Sequence, residues 1–235
     1  MINTEKIKKI FDHIPGRYDL MNDLMSLGMH RQWKRHFVQQ IPQQPNIALL
    51  DLAAGTGDIA YAYGKKSHSL SPTITLYDQS PQMLQKAKDR QIDENIIGNF
   101  SWVEGSSEKL PFKDNIFDVC TVSFGFRNFS DQEKSLTEIH RVLKPGGQFL
   151  CLEFSQPDPD IHHLYRTYLL EFIPRLGKFI TENKEAYTYL AESIRDFPDA
   201  PTVQSMLQQA QFKSVVYESL TKGIVAIHKG WKKND

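Results

Sequence analysis

The sequence contains little cysteine, and this limits the class of protein that it can encode. Only Cys120 and Cys151 occur among its 235 residues, and each lies in a stretch typical of a buried strand. Secreted domains that depend on disulfides carry several cysteine pairs, so this usage favours reduced thiols in a cytoplasmic protein. A redox-active pair is the alternative that the sequence leaves open.

Net charge and long hydrophobic runs are also absent. The 28 basic and 28 acidic residues cancel, so no overall field draws the chain to nucleic acid, and we expect no nucleic-acid partner. The apolar runs are far shorter than the roughly 20 residues of a membrane-spanning helix. The polar opening "MINTEKIKKIFDHI" predicts neither a signal peptide nor a membrane anchor. The eight histidines show no metal-ligand spacing, so we predict no metal site.

Strands and helices alternate from residue 47 onwards, which indicates an α/β fold. Helices are predicted at 58–66, at 81–91 and over "QEKSLTEIHRVLK". Apolar stretches that end at turn residues predict five strands, at 46–53, 73–78, 99–105, 116–125 and 148–155.

The last two predicted strands, "SVVYESL" and "GIVAIHKG", are separated only by "TKG". A link this short can join antiparallel neighbours but cannot form a parallel crossover. The sequence therefore predicts a mostly parallel sheet with an antiparallel C-terminal hairpin. This is the arrangement of the class I S-adenosylmethionine-dependent methyltransferase (Rossmann-like) fold, whereas dinucleotide dehydrogenases more often have six parallel strands.

We predict one domain over residues 1–235, since this length suits a single α/β core. Its four expected parts are an N-terminal helical cap (1–45), a cofactor-binding core (46–155), a helical insertion on the substrate side (156–198) and a C-terminal helix with the hairpin (199–235).

The stretch "ALLDLAAGTGDIA" leads from the first strand into a glycine turn that suits a nucleotide ligand. Gly55 and Gly57 would let the backbone approach this ligand closely, and Asp78, at the end of the second strand, could accept both hydroxyls of a ribose. NAD and S-adenosylmethionine fit these residues equally well. Asp51 favours S-adenosylmethionine, because an acid there would repel a pyrophosphate and attract the ammonium of an amino acid.

Several stretches of the sequence resemble the ubiquinone/menaquinone biosynthesis C-methyltransferase family, and together they span nearly the whole chain. They include "YDLMNDLMSLGMHRQW", "LDLAAGTGD", "FGFRN", "EIHRVLKPGGQFLCLEFSQP" and "YTYLAESIRDFP". The resemblance implies methyl transfer from S-adenosylmethionine to a ring carbon of a prenylated quinol, either demethylmenaquinol or 2-methoxy-6-polyprenyl-1,4-benzoquinol. The cofactor contacts that it implies fall on Thr56, Asp78, Ser106, Ser107 and Ser123. The family more often has Asn-Ala in place of Ser106-Ser107, a departure that backbone contacts would tolerate.

The reaction that the resemblance implies requires a stabilised phenolate, because deprotonating a ring hydroxyl makes the adjacent carbon nucleophilic. Arg127 is the candidate for this role, since its guanidinium stays charged and cannot itself accept the proton. Asn128 could orient the same oxygen. By topology Glu153 is the nearest candidate base, with Asp58 or a tyrosine as further candidates.

Each of these residues also has a structural alternative. Arg127 could form an ion pair with Asp131, and Glu153 could be an ion-pair partner. Asp78 could cap the helix that begins after Ser80.

Aromatic and apolar residues in the insertion could hold a prenyl chain, with cations close to lipid headgroups. The alternatives are that they pack on the sheet or across a homodimer. The residues concerned are Tyr165, Tyr168, Leu169, Phe172, Ile173 and Phe179, with the cations Arg166, Arg175 and Lys178.

The competing functions for the whole protein are an NAD-dependent oxidoreductase and a non-catalytic quinone-lipid-binding scaffold. Both the quinol methyltransferase and the quinone-lipid-binding scaffold are compatible with a peripheral location on the inner face of the membrane.

Overall fold

The computed structural model of the protein describes residues 26, 28–173 and 184–234. Most of the predicted N-terminal cap lies outside these residues, as do Arg175, Lys178 and Phe179 of the insertion.

A seven-stranded sheet forms the centre of the molecule, with strand order β3-β2-β1-β4-β5-β7-β6. Strands β1 to β5 are parallel, β7 is antiparallel to β5, and β6 is antiparallel to β7. The strands are β1 (Ala48–Leu52), β2 (Thr73–Asp78), β3 (Asn99–Glu104), β4 (Phe117–Ser123), β5 (Leu143–Phe154), β6 (Lys213–Leu220) and β7 (Val225–Trp231). The predicted fold, including the antiparallel C-terminal hairpin, is confirmed.

Helices cover both faces of the sheet and divide the core into two layers. One layer contains apolar side chains of α1, α2, α3 and α6, and the other contains those of α4 and α7. The helices are α1 (His30–Gln39), α2 (Asp58–Lys66), α3 (Pro81–Asp93), α4 (Gln132–Val142), α5 (Pro159–Thr167), α6 (Lys184–Asp196) and α7 (Ala200–Gln209). Helix α5 continues into a π-helical segment, Tyr168–Phe172.

The strand order places a ligand site at the carboxyl ends of β1 and β4. The chain runs from β1 outwards to β2 and β3 on one side, and β4 and β5 lie on the other side. Ligands of open α/β sheets bind where the strand order reverses in this way.

Strand β5 begins earlier than the sequence predicts. The predicted helix over "QEKSLTEIHRVLK" ends at Val142, and Leu143 already pairs with Phe117 of β4. The register between β4 and β5 then shifts before Val119 pairs with Gln148. The "KPGG" turn is therefore an irregularity within the strand, and helical periodicity alone does not reveal this.

The insertion residues predicted to hold a prenyl chain have different environments. Leu169 and Ile173 are buried in the core, which agrees with the packing alternative. Phe172 is exposed, as is Leu164 on α5. No helix of the described residues is both long and apolar enough to cross a membrane. Peripheral membrane contact and a homodimer stay predictions.

Candidate active site

Two adjoining cavities lie at the carboxyl ends of the parallel strands. The main cavity is lined by residues that include Asp78, Ser80, Gly105, Ser107, Gly125 and Asn128. The side cavity is lined by Lys34, Asp51, Ala54, Thr56, Asp58 and Ile59. Ala53, Gly55 and Ser123 line both cavities, so the two share a wall.

Asp78 is buried at the end of β2 and is held by backbone amides. Its Oδ2 accepts a hydrogen bond from the Gly55 amide at 2.8 Å, and its Oδ1 accepts one from the Ser80 amide at 2.9 Å. Burial raises the pKa of this carboxyl, and the backbone hydrogen bonds oppose that rise. Helix α3 is capped by Ser80, whose hydroxyl accepts from the Met83 amide at 3.3 Å. Asp78 lines the main cavity, and each of its oxygens has a lone pair left to accept a further hydrogen bond.

The two glycines of the turn have different surroundings. Gly55 has φ +54° and lines both cavities, and a Cβ added there would meet no atom within 4 Å. Gly57 has φ +83°, and a Cβ there would lie 2.5 Å from Cε2 of Tyr61 and 2.9 Å from Cδ2 of Leu76. Gly55 thus leaves space for a ligand, whereas Gly57 leaves space for the packing of α2 on the sheet.

We expect Gly55→Ala to affect mainly ligand binding and Gly57→Ala to affect mainly stability. In Gly55→Ala the new methyl group enters the cavity, so affinity for S-adenosylhomocysteine should fall about 10-fold, and the positive φ of residue 55 should cost about 1 kcal/mol of stability as well. In Gly57→Ala the clash with Tyr61 should lower the free energy of unfolding by about 1–3 kcal/mol. Calorimetric titration and thermal melts measure the two effects. The reverse pattern would contradict the roles given to the two glycines.

Asp51 is 1% exposed, lies at the end of β1 and lines the side cavity. Its Oδ1 accepts a hydrogen bond from the Thr121 hydroxyl at 2.8 Å, and its Oδ2 accepts one from the Ala60 amide at 3.2 Å. Burial raises the pKa of Asp51 to about 7, and the neighbouring Asp58 and Asp78 add to the rise. A carboxylate desolvated in this way is suited to binding a cationic group.

The predicted polar residues lie at different depths around the cavities. Ser107 lines the main cavity, with its hydroxyl 2.9 Å from the Ser135 hydroxyl. Ser106 is exposed, and its carbonyl accepts a hydrogen bond from the Tyr77 hydroxyl. The Ser123 hydroxyl is buried with no partner among the described residues. An unpartnered buried hydroxyl on the shared wall is available to a ligand, so these residues fit a bound nucleoside.

Arg127 and Glu153 form a buried ion pair, with side chains that are 4% and 1% exposed. Arg127 Nη1 donates to Glu153 Oε1 at 2.7 Å and to the Phe124 carbonyl at 2.6 Å. The Arg127 amide donates to Glu153 Oε2 at 3.2 Å, and the guanidinium lies 5.4 Å from the ring centroid of Phe154. The partner of Arg127 is thus Glu153, whereas Asp131 caps α4.

Asn128 is positioned by a residue whose role the sequence did not reveal. The Tyr189 hydroxyl of α6 donates to Asn128 Oδ1 at 3.0 Å, while Asn128 lines the main cavity. Tyr189 belongs to the stretch "YTYLAESIRDFP", but its contact depends on how α6 packs.

Asp58, a further candidate base, forms ion pairs with Lys34 and Arg90. Burial raises the pKa of Asp58, but these two cations outweigh that effect and bring the pKa down to about 2. A carboxylate with so low a pKa is too weak a general base at neutral pH.

A family model described as the ubiE/COQ5 methyltransferase family matches residues 1–232. The chain belongs to this family. It is 43% identical over 230 residues to the ubiquinone/menaquinone biosynthesis C-methyltransferase of Hydrogenovibrio crunogenus, covering 97% of this chain and 90% of the relative. It is 42% identical over 254 residues to the mitochondrial 2-methoxy-6-polyprenyl-1,4-benzoquinol methylase of Dictyostelium discoideum, covering 96% of this chain and 81% of the relative.

Solved structures share the fold at low sequence identity. A methyltransferase of Haloferax volcanii, in complex with its activator Trm112, superposes with a TM-score of 0.71 at 18% identity, covering 97% of this chain and 98% of that one. A methyltransferase of Thermotoga maritima superposes with a TM-score of 0.67 at 19% identity, covering 96% and 99%.

The family member described here is an S-adenosylmethionine-dependent C-methyltransferase of ubiquinone/menaquinone biosynthesis. S-adenosylmethionine is therefore its cofactor, and the alternatives of an NAD-dependent oxidoreductase and a non-catalytic scaffold are set aside.

Proposed function

We propose that the enzyme methylates a ring carbon of demethylmenaquinol, with 2-methoxy-6-polyprenyl-1,4-benzoquinol as the second candidate substrate. The observation that carries this proposal is the buried Arg127, which lies in the 3-10 turn Phe126–Asn128 that follows β4. The bacterial relatives are named for ubiquinone and menaquinone biosynthesis together, so they support both substrates. The Dictyostelium relative supports the second.

Aromatic rings next to Arg127 suit a flat quinol ring. The rings of Phe124 and Phe154 have centroids 4.9 Å apart, and each lies 6.3 Å from the ring of Trp33. Aromatic rings pack well against one another at such distances. We place the quinol ring beside this aromatic group, with one of its oxygens directed at Arg127.

The residues of the glycine turn would hold the cofactor, which when bound supplies an electrophilic methyl group on a positively charged sulfur. Asp78 would accept the ribose hydroxyls, and Asp51 would bind the ammonium of the amino acid. Thr56, Ser107 and the unpartnered Ser123 hydroxyl would complete the set. Ser106 would contribute through its backbone, because its side chain is directed to Glu108.

Arg127 would favour the ionised form of the quinol hydroxyl, whose proton would pass to water. After the ring carbon accepts the methyl group, its own hydrogen would move as a proton to the ring oxygen, so one proton is released for each methyl group transferred. The Nε–H of Arg127 is buried with no partner among the described residues, so it can donate to an oxygen of the substrate. The fixed positive charge lowers the pKa of a hydroxyl beside it and directs electron density to the adjacent ring carbon. Asn128, oriented by Tyr189, would donate to the same oxygen through its amide nitrogen.

Glu153 would hold Arg127 in this orientation. Its oxygens already accept hydrogen bonds from Arg127 Nη1, the Arg127 amide and the Phe154 amide. We therefore assign Glu153 to positioning, and its alternative role as general base is tested by the variants described in the Discussion.

The full chain incubated with methyl-labelled S-adenosylmethionine and each reduced quinol tests the substrate. We expect the label on the ring of demethylmenaquinol, detected by mass spectrometry of the extracted quinones. The quinone pool of cells that lack the protein should accumulate the demethylated precursor. Label on the benzoquinol alone would reverse the order of the two substrates, and label on neither would refute a quinol substrate.

A further inference from the structure

The side cavity is lined by side chains of opposite charge. Asp51 lines it, and so does Lys34 of α1, which is the cationic side chain among the described residues that line it. An amino acid carries its ammonium and its carboxylate on the same carbon atom. A site that binds both groups therefore needs an anion and a cation close together, and Asp51 and Lys34 line the same cavity.

Lys34 is held at the cavity by an ion pair. Its Nζ lies 2.6 Å from Asp58 Oδ2, and its side chain is 14% exposed. The other oxygen of Asp58, Oδ1, accepts from Nη1 of Arg90, which lines a neighbouring groove; Lys34, Thr56 and Asp58 line both this groove and the side cavity. Because Arg90 already balances the charge of Asp58, the Lys34 cation can also attract a second anion.

Asp58 also begins helix α2, so the backbone amides at the start of this helix lie at the same cavity. The positive end of a helix dipole adds to the attraction for a carboxylate. Asp51 and Lys34 together would then bind both charged groups of one amino acid.

We propose that Lys34 binds the carboxylate of the amino-acid part of the cofactor. This adds to the cofactor site a residue from α1, an element outside the alternating strand and helix core. Cofactor binding thereby fixes α1 against the glycine turn through the contact of Lys34 with the ligand.

Two ligands that differ in a single group test this assignment without turnover. S-adenosylhomocysteine carries the carboxylate, and its decarboxylated analogue keeps the amine and lacks the carboxylate. Calorimetric titration of the full chain should show that Lys34→Gln weakens S-adenosylhomocysteine binding about 10–100-fold and changes binding of the analogue less than about 2-fold. Lys34→Arg should recover most of the affinity for S-adenosylhomocysteine.

Two control variants separate ligand contact from structure. Lys65→Gln removes an exposed lysine of α2 that pairs with Glu94, and it should leave both affinities unchanged. Asp58→Asn breaks the ion pair but keeps the Lys34 cation, so it should preserve the difference in affinity between the two ligands. An equal loss for both ligands in Lys34→Gln, or no loss for either, would overturn the proposal. Loss of the difference in Asp58→Asn would overturn it as well.

Discussion

Replacing Arg127 with glutamine should lower kcat for quinol methylation by about 10²–10³-fold, the usual loss when one electrostatic donor to a developing charge is removed. Affinity for S-adenosylhomocysteine should change little, because the described residues that line the two cofactor cavities do not include Arg127. Initial rates with saturating cofactor and calorimetric titration measure the two effects. A parallel loss of both would assign Arg127 to the structure of the cofactor site.

The ion pair with Glu153 makes the single variant unstable, and the design has to account for this. A buried carboxylate left without its partner costs about 3–5 kcal/mol of stability. The double variant Arg127→Gln/Glu153→Gln removes both charges, so it should recover most of the melting temperature while methylation stays lost. Recovery of activity in the double variant would contradict the proposed role of Arg127.

Glu153→Gln alone separates positioning from proton transfer. Glutamine can still accept a hydrogen bond from Arg127 Nη1, but it leaves the buried guanidinium without a countercharge, so stability should fall. A positioning residue should nevertheless retain partial activity and the pH profile of the parent enzyme. If Glu153 is the general base, the loss should be about 10²–10⁴-fold and should flatten the pH profile of kcat.

Replacing Asp51 with asparagine should remove cofactor binding and stabilise the fold. Loss of a buried charged partner weakens binding by about 100-fold or more, as measured by titration with S-adenosylhomocysteine. Asparagine can still accept from the Ala60 amide and can donate to the Thr121 hydroxyl, so the local hydrogen bonds persist. A stable protein that no longer binds its cofactor is the expected result, since functional sites often retain such destabilising groups.

The gain in stability should depend on pH. The pKa of Asp51 is about 7 in the folded chain and 3.8 for an ordinary aspartate, so the unfolded chain releases this proton at lower pH. The native protein therefore loses stability as pH rises between these two values, and the full loss, about 4 kcal/mol, is present above pH 7. Asp51→Asn does not undergo this loss, because its side chain has no carboxyl to ionise. The amount by which its melting temperature exceeds that of the parent protein should therefore be larger at pH 8 than at pH 5.

A surface variant provides the comparison for Asp51. Asp93→Asn changes an exposed carboxylate at the end of α3, and it should show neither the gain in stability nor the loss of binding. An Asp51→Asn protein that is less stable than the parent at both pH values would contradict the assigned cost of burying this charge. Unchanged cofactor affinity would show that Asp51 does not bind the ammonium.

The strand ends of the site could be predicted from sequence, because parallel strands bring their carboxyl ends to one edge. Asp51, Asp78 and Ser123 lie at this edge as their strand positions require. The sequence could not show that Gly57 makes room for the Tyr61 ring, since that depends on how α2 packs on the sheet. Nor could it select Glu153 as the partner of Arg127, because their meeting depends on the register of β4 and β5.

The contacts of α1 and α6 were harder still to predict. Lys34 meets Asp58, and Tyr189 meets Asn128, across helices that are remote in the chain. Hydrophobic periodicity predicts which face of a helix is buried, but it does not specify which polar side chain at the edge of that face reaches the site. The catalytic chemistry was therefore easier to infer than the residues that orient it.

The hydrogen bond from the Gly55 amide to Asp78 has a consequence for cofactor exchange. Because this hydrogen bond within the folded chain ties the glycine turn to β2, the entropy of ordering this loop is lost during folding and does not oppose each binding event. Spent and fresh cofactor can then replace one another on a rigid scaffold, and the loop does not have to form again between catalytic cycles.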